Sequence, residues 1–161
     1  MIDFLFKTLA GKIIVTLFIS MVPVIELRGA IPIATGMGLS PLIAIPLAIV
    51  GNLIPVPFII VFIKKIFAWM RRVSPKLNGI VDKMEAKAEK NKAKVLKYAF
   101  WGLAIFVAIP LPGTGAWTGA LVAAMLDMPL KKAFPSIVIG VLSAGIIISF
   151  VSYGAAALIF G

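Results

Sequence analysis

Residues 41–63 read PLIAIPLAIVGNLIPVPFIIVFI, without one charged side chain. A helix rises 1.5 Å per residue, so a run of about 20 apolar residues crosses the ~30 Å hydrocarbon core of a bilayer. A second run, SIVIGVLSAGIIISFVSYGAAALIF at 136–160, is slightly longer and also uncharged. The whole chain is 61% hydrophobic and 14% charged, with mean hydropathy +1.12, where a soluble domain carries about a quarter charged residues. These values imply an all-α integral membrane protein, read here as a single membrane domain over residues 1–161.

Charge then divides the chain. Lys64, Lys65, Arg71, Arg72, Lys76, Lys83, Lys87, Lys90, Lys92, Lys94 and Lys97 crowd one segment, against only Asp82, Glu85 and Glu89. Between spanning runs, such a cluster marks a cytoplasmic loop by the positive-inside rule, and nucleic acid is not needed to account for it. The reading is a first repeat at 1–63, a basic cytoplasmic linker at 64–97 and a second repeat at 98–161. The chain has no Cys and no His, which excludes disulfides, the usual zinc sites and imidazole proton relays. No cofactor or metal is expected, and no acid dyad or Ser-Lys arrangement in the spans suggests an enzyme. The opening MIDFLFKTLAGK mixes Asp3 with Lys7 and offers no cleavage site, so it reads as retained.

The two halves resemble each other. Gly29-Ala30 aligns with Gly115-Ala116, Pro46 with Pro135 and Gly51 with Gly140, a period of about 86–89 residues of the kind transporter repeats show. Each half begins with a broken stretch. In the first, an apolar segment (4–24) ends at Pro23, and the chain resumes at Gly29 to reach GMGLSP. In the second, KYAFWGLAIFVAI (97–109) breaks at PLPGTG (110–115) and continues as AWTGALVAAML. Half-helices of about a dozen residues cover roughly 18 Å, too little to cross. Each half therefore reads as a re-entrant hairpin followed by a transmembrane helix, and the odd number of crossings makes the repeats inverted. Lys131 and Lys132 then return to the cytoplasmic face, and both termini lie outside the cell (plasma or inner) membrane.

The linker has its own pattern. Ser74-Pro75 fits an N-cap followed by proline at the first helical position. Leu77, Ile80, Met84 and Ala88 then recur at helical spacing, with lysines on the other face. Such a helix either lies on anionic lipid headgroups or serves as a solvated element that fixes topology. Trp69 and Trp101 read as interfacial anchors. The series Ser136-Gly140-Ala144 and the pair Gly115-Gly119 are small-residue packing faces.

The chemistry lies in the breaks. IELRGAIP (25–32) places Glu26 and Arg28 in an otherwise apolar stretch, where a charge costs several kcal/mol unless it is paired. Intramembrane ionisable residues are functional candidates by default. Arg28 suits an anionic oxygen, phosphate above all, and Glu26 is a candidate proton carrier. The structural alternative is that the two neutralise each other in an unwound loop. Gly29 and Pro32 complete the motif. In PLPGTG, Pro110 and Pro112 stop one half-helix, Gly113 and Gly115 allow tight backbone, and Thr114 is expected to cap the next. Two helix N-termini and one arginine then bias the site toward an anion. Asn52, within a span, either bonds another helix or lines a pathway. Asp127, near Lys131 and Lys132, reads as a surface residue.

ELRGAIP followed by AIPLPGTGAWTGALVA resembles the small multi-drug export protein family, a distant relative of the DedA (SNARE-associated, VTT) superfamily. The resemblance covers nearly the whole chain. It implies an inverted-repeat membrane transporter or flippase with two re-entrant hairpins, and DedA-like relatives are associated with movement of lipid or polyprenyl phosphates and with proton coupling. The arginine-containing motif of the second half in those relatives has no counterpart in PLPGTG, so no role is carried over there. The expected function is transport of a small amphipathic substrate, a lipid phosphate or a drug, through a site between the two hairpins. A non-transporting membrane or assembly factor with a structural Glu-x-Arg motif is the alternative. So short a chain also makes a second copy of itself a candidate partner.

Overall fold

The computed structural model describes residues 7–96, 100–111 and 113–160. Pro112, assigned to the second break, lies outside the described residues, as do Asp3 and Lys97. The described residues form eight helices and no strand: α1 (Leu9–Met21), α2 (Glu26–Gly36), α3 (Pro41–Leu53), α4 (Pro55–Val73), α5 (Pro75–Leu96), α6 (Phe100–Ala108), α7 (Ala116–Met125) and α8 (Leu130–Phe160).

Two stretches are long and apolar enough to cross a membrane, Pro41–Val73 and Leu130–Ala155. The first is α3 and α4 in near continuity, interrupted only at Ile54. Pro55 and Pro57 carry no amide hydrogen, so the carbonyls of Gly51 and Leu53 lose their helical donors there. The helix continues past position 63 to Val73, so the first part of the basic stretch rides on α4 itself. Arg71 of α4 then reaches Asp82 (2.7 Å) and Glu85 (2.8 Å) of α5. Between them Ser74 is extended, and its hydroxyl accepts from the Lys76 amide at 3.3 Å, in keeping with the expected cap.

The face that α5 buries differs from the expected one. Val81 is fully buried and Met84 packs on the core, while Ile80 is 49% exposed. The helix lies against α4, α6 and α7. Its apolar stripe is rotated about one position because it covers protein, and a surface spot on a helix is served by the residue whose Cβ leans over it.

Short helices pair on either side of the long ones. α1 and α2 run antiparallel, with the Lys12 ammonium donating to the carbonyl of Met37 at the far end of α2. α1 packs on α3 and α6 on α8, whereas α2 packs across on α8 and α7 across on α4. Each half thus lends a short helix to the long helix of the other.

The backbone repeats with the packing. The positive-φ residues among those described are Val24, Glu26 and Gly38 in the first half and Gly113, Gly115 and Asp127 in the second. They pair as 24 with 113, 26 with 115 and 38 with 127, each 89 positions apart. Gly38 and Asp127 occupy the same helix stop, in which Leu39 N bonds Ala34 O and Met128 N bonds Ala123 O, the six-to-one bond of a Schellman motif. This register pairs Gly115 with Glu26 rather than with Gly29. The sequence alignment was three residues out in this motif because similar Gly-Ala pairs recur by chance in apolar runs. Pro46 with Pro135 and Gly51 with Gly140 do fall in register.

Those last glycines perform the same task. A Cβ at Gly51 would lie 2.6 Å from the Leu17 carbonyl oxygen of α1, and one at Gly140 would lie 2.6 Å from the Ala104 carbonyl oxygen of α6. Since the obstacle is backbone, Gly51→Ala and Gly140→Ala should each destabilise by roughly 1–3 kcal/mol. Gly79→Ala, in open space on α5, should instead stabilise by about 0.5–1 kcal/mol. Thermal unfolding of the three variants in detergent checks both signs.

Candidate functional site

The first break is four residues long. α1 ends at Met21, Val22 is extended, Pro23 follows, and Val24 (φ 76°) and Glu26 (φ 52°) bend the chain through conformations that side-chain-bearing residues rarely adopt. The helix resumes at Glu26, not at Gly29, so both charges lie in the first turn of α2 instead of in an unwound loop. Residues two apart on a helix face different ways, and these two diverge to different partners. No ion pair joins them.

Glu26, 3% exposed, points to the start of α7, where its Oε1 accepts from the amide of Trp117 at 3.0 Å. Arg28 points to the end of α6 and the loop after it. Its Nη1 donates to the carbonyls of Leu111 (2.5 Å) and Thr114 (3.0 Å), and its Nη2 to those of Ile109 (2.9 Å) and Val107 (3.4 Å). The carboxylate thus sits at the positive end of one half-helix and the guanidinium at the negative end of the other, the favourable arrangement for both dipoles. The N-terminus of α7 is thus met by the protein's own carboxylate and the end of α6 by the protein's own guanidinium.

Thr114 does not cap α7. Its hydroxyl turns back to the carbonyls of Ile109 (2.6 Å) and Leu111 (2.8 Å) and accepts from Arg28 Nη2 at 2.9 Å. The N-cap is Gly115, without a side-chain bond, and Glu26 does the capping from the other half. Gly115 has φ 118° and ψ −177°, a region essentially restricted to glycine. A Cβ there would also lie 2.2 Å from Glu26 Oε2. One further bond crosses between the breaks, from the Trp117 indole to the Met21 carbonyl at the end of α1 (3.1 Å).

A cavity of about 550 Å³ opens at this junction. Glu26, Arg28, Pro110, Gly113 and Thr114 line it with Trp117, and Ile59, Ile63 and Leu121 give it apolar walls. Met84 and Lys87 of α5 close one side, with Lys87 Cε 3.5 Å from where a Gly113 Cβ would stand. Of the other residues singled out by sequence, Gly29 is half-buried in α2 and Pro32 is exposed on it, both away from the cavity. Asn52 is buried elsewhere, and neither polar atom of its amide has a partner. Asp127 is exposed and pairs with Lys64 at 2.5 Å, a partner drawn from α4 rather than from Lys131 or Lys132.

Sequence reasoning missed Trp117 and Lys87. A lone indole in a run of small residues, AWTGALVA, was the available signal for Trp117. Nothing in the sequence separates Lys87 from the ten other cations of its segment.

These contacts predict opposite effects in the two breaks. Gly115→Ala should cost about 1–3 kcal/mol through its backbone, and roughly 0.5–2 kcal/mol more through the displaced Glu26 cap. Val24→Gly, at an exposed β-branched residue whose counterpart is Gly113, should be neutral or stabilising by up to about 1 kcal/mol. Thermal unfolding in detergent measures both.

No curated relative and no solved structure matches the chain. The family model described as "Putative small multi-drug export protein" matches residues 26–147, beginning at the carboxylate that caps α7 and covering most of the chain. The chain belongs to this small multi-drug export family, whose description suggests a membrane transporter.

Proposed function

We propose that this protein is a secondary transporter for a small amphipathic molecule, and not an enzyme, with its substrate site in the cavity between the two helix breaks. The observation that carries the reading is the composition of that cavity. It is walled by Ile59, Ile63, Leu121 and Trp117, and three ionisable groups reach it, Glu26, Arg28 and Lys87. A pocket mostly apolar with a few convergent polar groups is the usual form of a small-molecule site. Arg28 on the cavity wall suits an anionic headgroup, such as a lipid phosphate, and Glu26 beside it suits a cationic drug. In this reading the transporter is a DedA-like flippase in which protons drive the exchange through Glu26, the acidic residue on the cavity wall.

The membrane arrangement follows from the same elements. α1–α2 and α6–α7 are too short to cross and act as re-entrant hairpins, one from each face. α3–α4 and α8 cross the cell membrane. The repeats are then inverted, which the exchange of short helices between halves supports. The basic α5 and Lys131 face the cytoplasm beside anionic lipid, with the termini outside. A second copy of the chain would complete the wall of a pathway this small.

A second reading has its own support. Arg28 spends its donors on four carbonyls and Glu26 caps α7, so both charges already have structural work. A non-transporting membrane or assembly factor would need no more. Purified protein in liposomes, with and without a pH gradient, separates the two. Glu26→Gln should still bind substrate but no longer respond to the gradient. Arg28→Ala strips the carbonyls of their donor and leaves Glu26 only Lys87 nearby, so it should lose transport and about 1–3 kcal/mol of stability for the carbonyls left unsatisfied. Normal turnover per folded molecule in both variants would leave only the structural reading.

A further inference from the structure

Four hydroxyl side chains are buried among the described residues, those of Thr16, Ser20, Thr118 and Ser136. Three of them donate to a backbone carbonyl: Thr16 and Ser20 of α1 to Lys12 (2.8 Å) and Leu17 (2.7 Å), and Ser136 of α8 to Phe100 (2.5 Å). Thr118 of α7, only 8% exposed, makes no such bond. A buried hydroxyl without a partner costs free energy, and a helical threonine ordinarily avoids that cost by bonding back to the carbonyl four residues earlier. Here that carbonyl belongs to Thr114. The turn at Gly115 (φ 118°, ψ −177°) takes it out of the helix, and Arg28 Nη1 donates to it at 3.0 Å. The carbonyl three residues back, that of Gly115, accepts the Gly119 amide at 2.8 Å.

Thr118 stands on the cavity side of α7. A Cβ at Gly119 would meet Val107 of α6 at 2.5 Å and Ile137 of α8 at 3.8 Å, so that side of the helix packs on protein. Thr118 and Leu121, three residues apart and hence neighbours on one face, line the cavity together with Ile59 and Ile63 of α4, a helix on which α7 packs. The other polar side chains of the wall are engaged. Glu26 accepts from the Trp117 amide, the Trp117 indole donates to Met21, and both Nη groups of Arg28 donate to carbonyls. The Thr114 hydroxyl donates to Ile109 or Leu111, and Lys87 has a partner as well. In a half that otherwise supplies backbone ends and apolar walls, Thr118 is the polar group left over. The repeat does not call for it, since Gly29 stands 89 positions earlier, and valine has the same shape.

We propose that the Thr118 hydroxyl is the cavity's hydrogen-bond donor to its substrate, and that the substrate carries an acceptor oxygen where its polar head meets the first turn of α7. This deepens the reading of the cavity as a transport site and rests on it. A hydroxyl has one hydrogen to give, and an acceptor oxygen is what receives it. The positive end of α7 favours the same partner, because such an oxygen carries partial negative charge. Apolar walls tell amphiphiles apart by size, whereas an unpaired polar group in the wall tells them apart by chemistry. Thr118 is therefore the residue that discriminates, while Glu26 and Arg28 hold the break together.

The test uses the full chain in lipid nanodiscs with Trp69→Phe and Trp101→Phe, which leaves Trp117 on the cavity wall as the single indole and its fluorescence as the reporter of occupancy. Two probes of equal chain length separate hydrogen bonding from burial: octyldimethylamine N-oxide, whose oxygen accepts, and octyltrimethylammonium, in which a methyl group takes the place of that oxygen. Thr118→Val should weaken binding of the N-oxide about tenfold and leave that of the ammonium unchanged. Comparing each probe with itself across the variants cancels the difference in their charge. Thr118→Ser, which keeps the hydroxyl, should restore the N-oxide. Without a probe, Thr118→Val should unfold at the same temperature as the parent or higher, because no bond within the protein is lost. A lower unfolding temperature would make the hydroxyl structural and overturn the proposal. Undiminished N-oxide binding in Thr118→Val, equal weakening of both probes, or a Trp117 response to the ammonium alone would also overturn it, yet leave the cavity as the substrate site. No Trp117 response to either probe would overturn the proposal and the cavity reading together.

Discussion

Everything near the centre of this protein depends on one reciprocal arrangement: a carboxylate at the start of one half-helix and a guanidinium at the end of the half-helix before it. Glu26 and Arg28 come from the same turn of α2, yet they serve opposite ends of a single break in the other half of the chain. A break within an apolar core leaves amides and carbonyls that neither lipid nor apolar side chains can satisfy. The motif supplies acceptor and donor together and places each charge where a helix dipole favours it. It thereby solves two problems at once, because the charges would be costly to bury alone and the break would be costly to leave open.

The repeat shows where that solution carries a cost. Among the described residues, three backbone positions adopt positive φ in each half at matching places, and the second half meets two of them with glycine. The first half instead has Val24 and Glu26, residues for which such conformations are strained by about 1–2 kcal/mol each. At Glu26 the strain has an evident return, since a glycine there could not cap α7. At Asp127 the exchange is reversed: glycine stands at Gly38, and the aspartate of the second half ties α7 to α4 through Lys64. Two of the three departures, Glu26 and Asp127, thus coincide with side chains that make a contact their counterparts lack.

Much of this was legible in the chain. Spanning runs, the short stretches between them, the Glu26 and Arg28 pair, the PLPGTG break and the matched glycines at 51 and 140 are all composition and spacing, which a sequence carries directly. What was not legible were the partners. The expectation of a site between the two breaks holds, since Arg28 meets Thr114 there at 2.9 Å, but the particular bonds were missed: Thr114 was expected to cap its own helix, and the amide that Glu26 accepts from lies 91 residues away, beyond any local rule. The rotated face of α5 was missed for a related reason, since periodicity locates an apolar stripe but does not tell protein from lipid as the medium that covers it.

Symmetry also separates scaffold from mechanism. Features present in both halves, such as the helix stops at Gly38 and Asp127 or the close approach at Gly51 and Gly140, are requirements of the fold. Features present in one half only are not demanded by the shared pattern, although Glu26 and Arg28 are demanded by the break that they close in the other half. By that criterion Glu26, Arg28, Asn52 and the buried hydroxyls of α1 all belong to a polar first half facing an apolar second half that supplies backbone ends and walls. The cavity lies where the two meet. A strictly symmetric pair of halves would bring the same groups to the junction from both sides. Concentrating the ionisable groups in one half gives the junction a polarity along its length, from the side chains of Glu26 and Arg28 to the backbone ends that they meet.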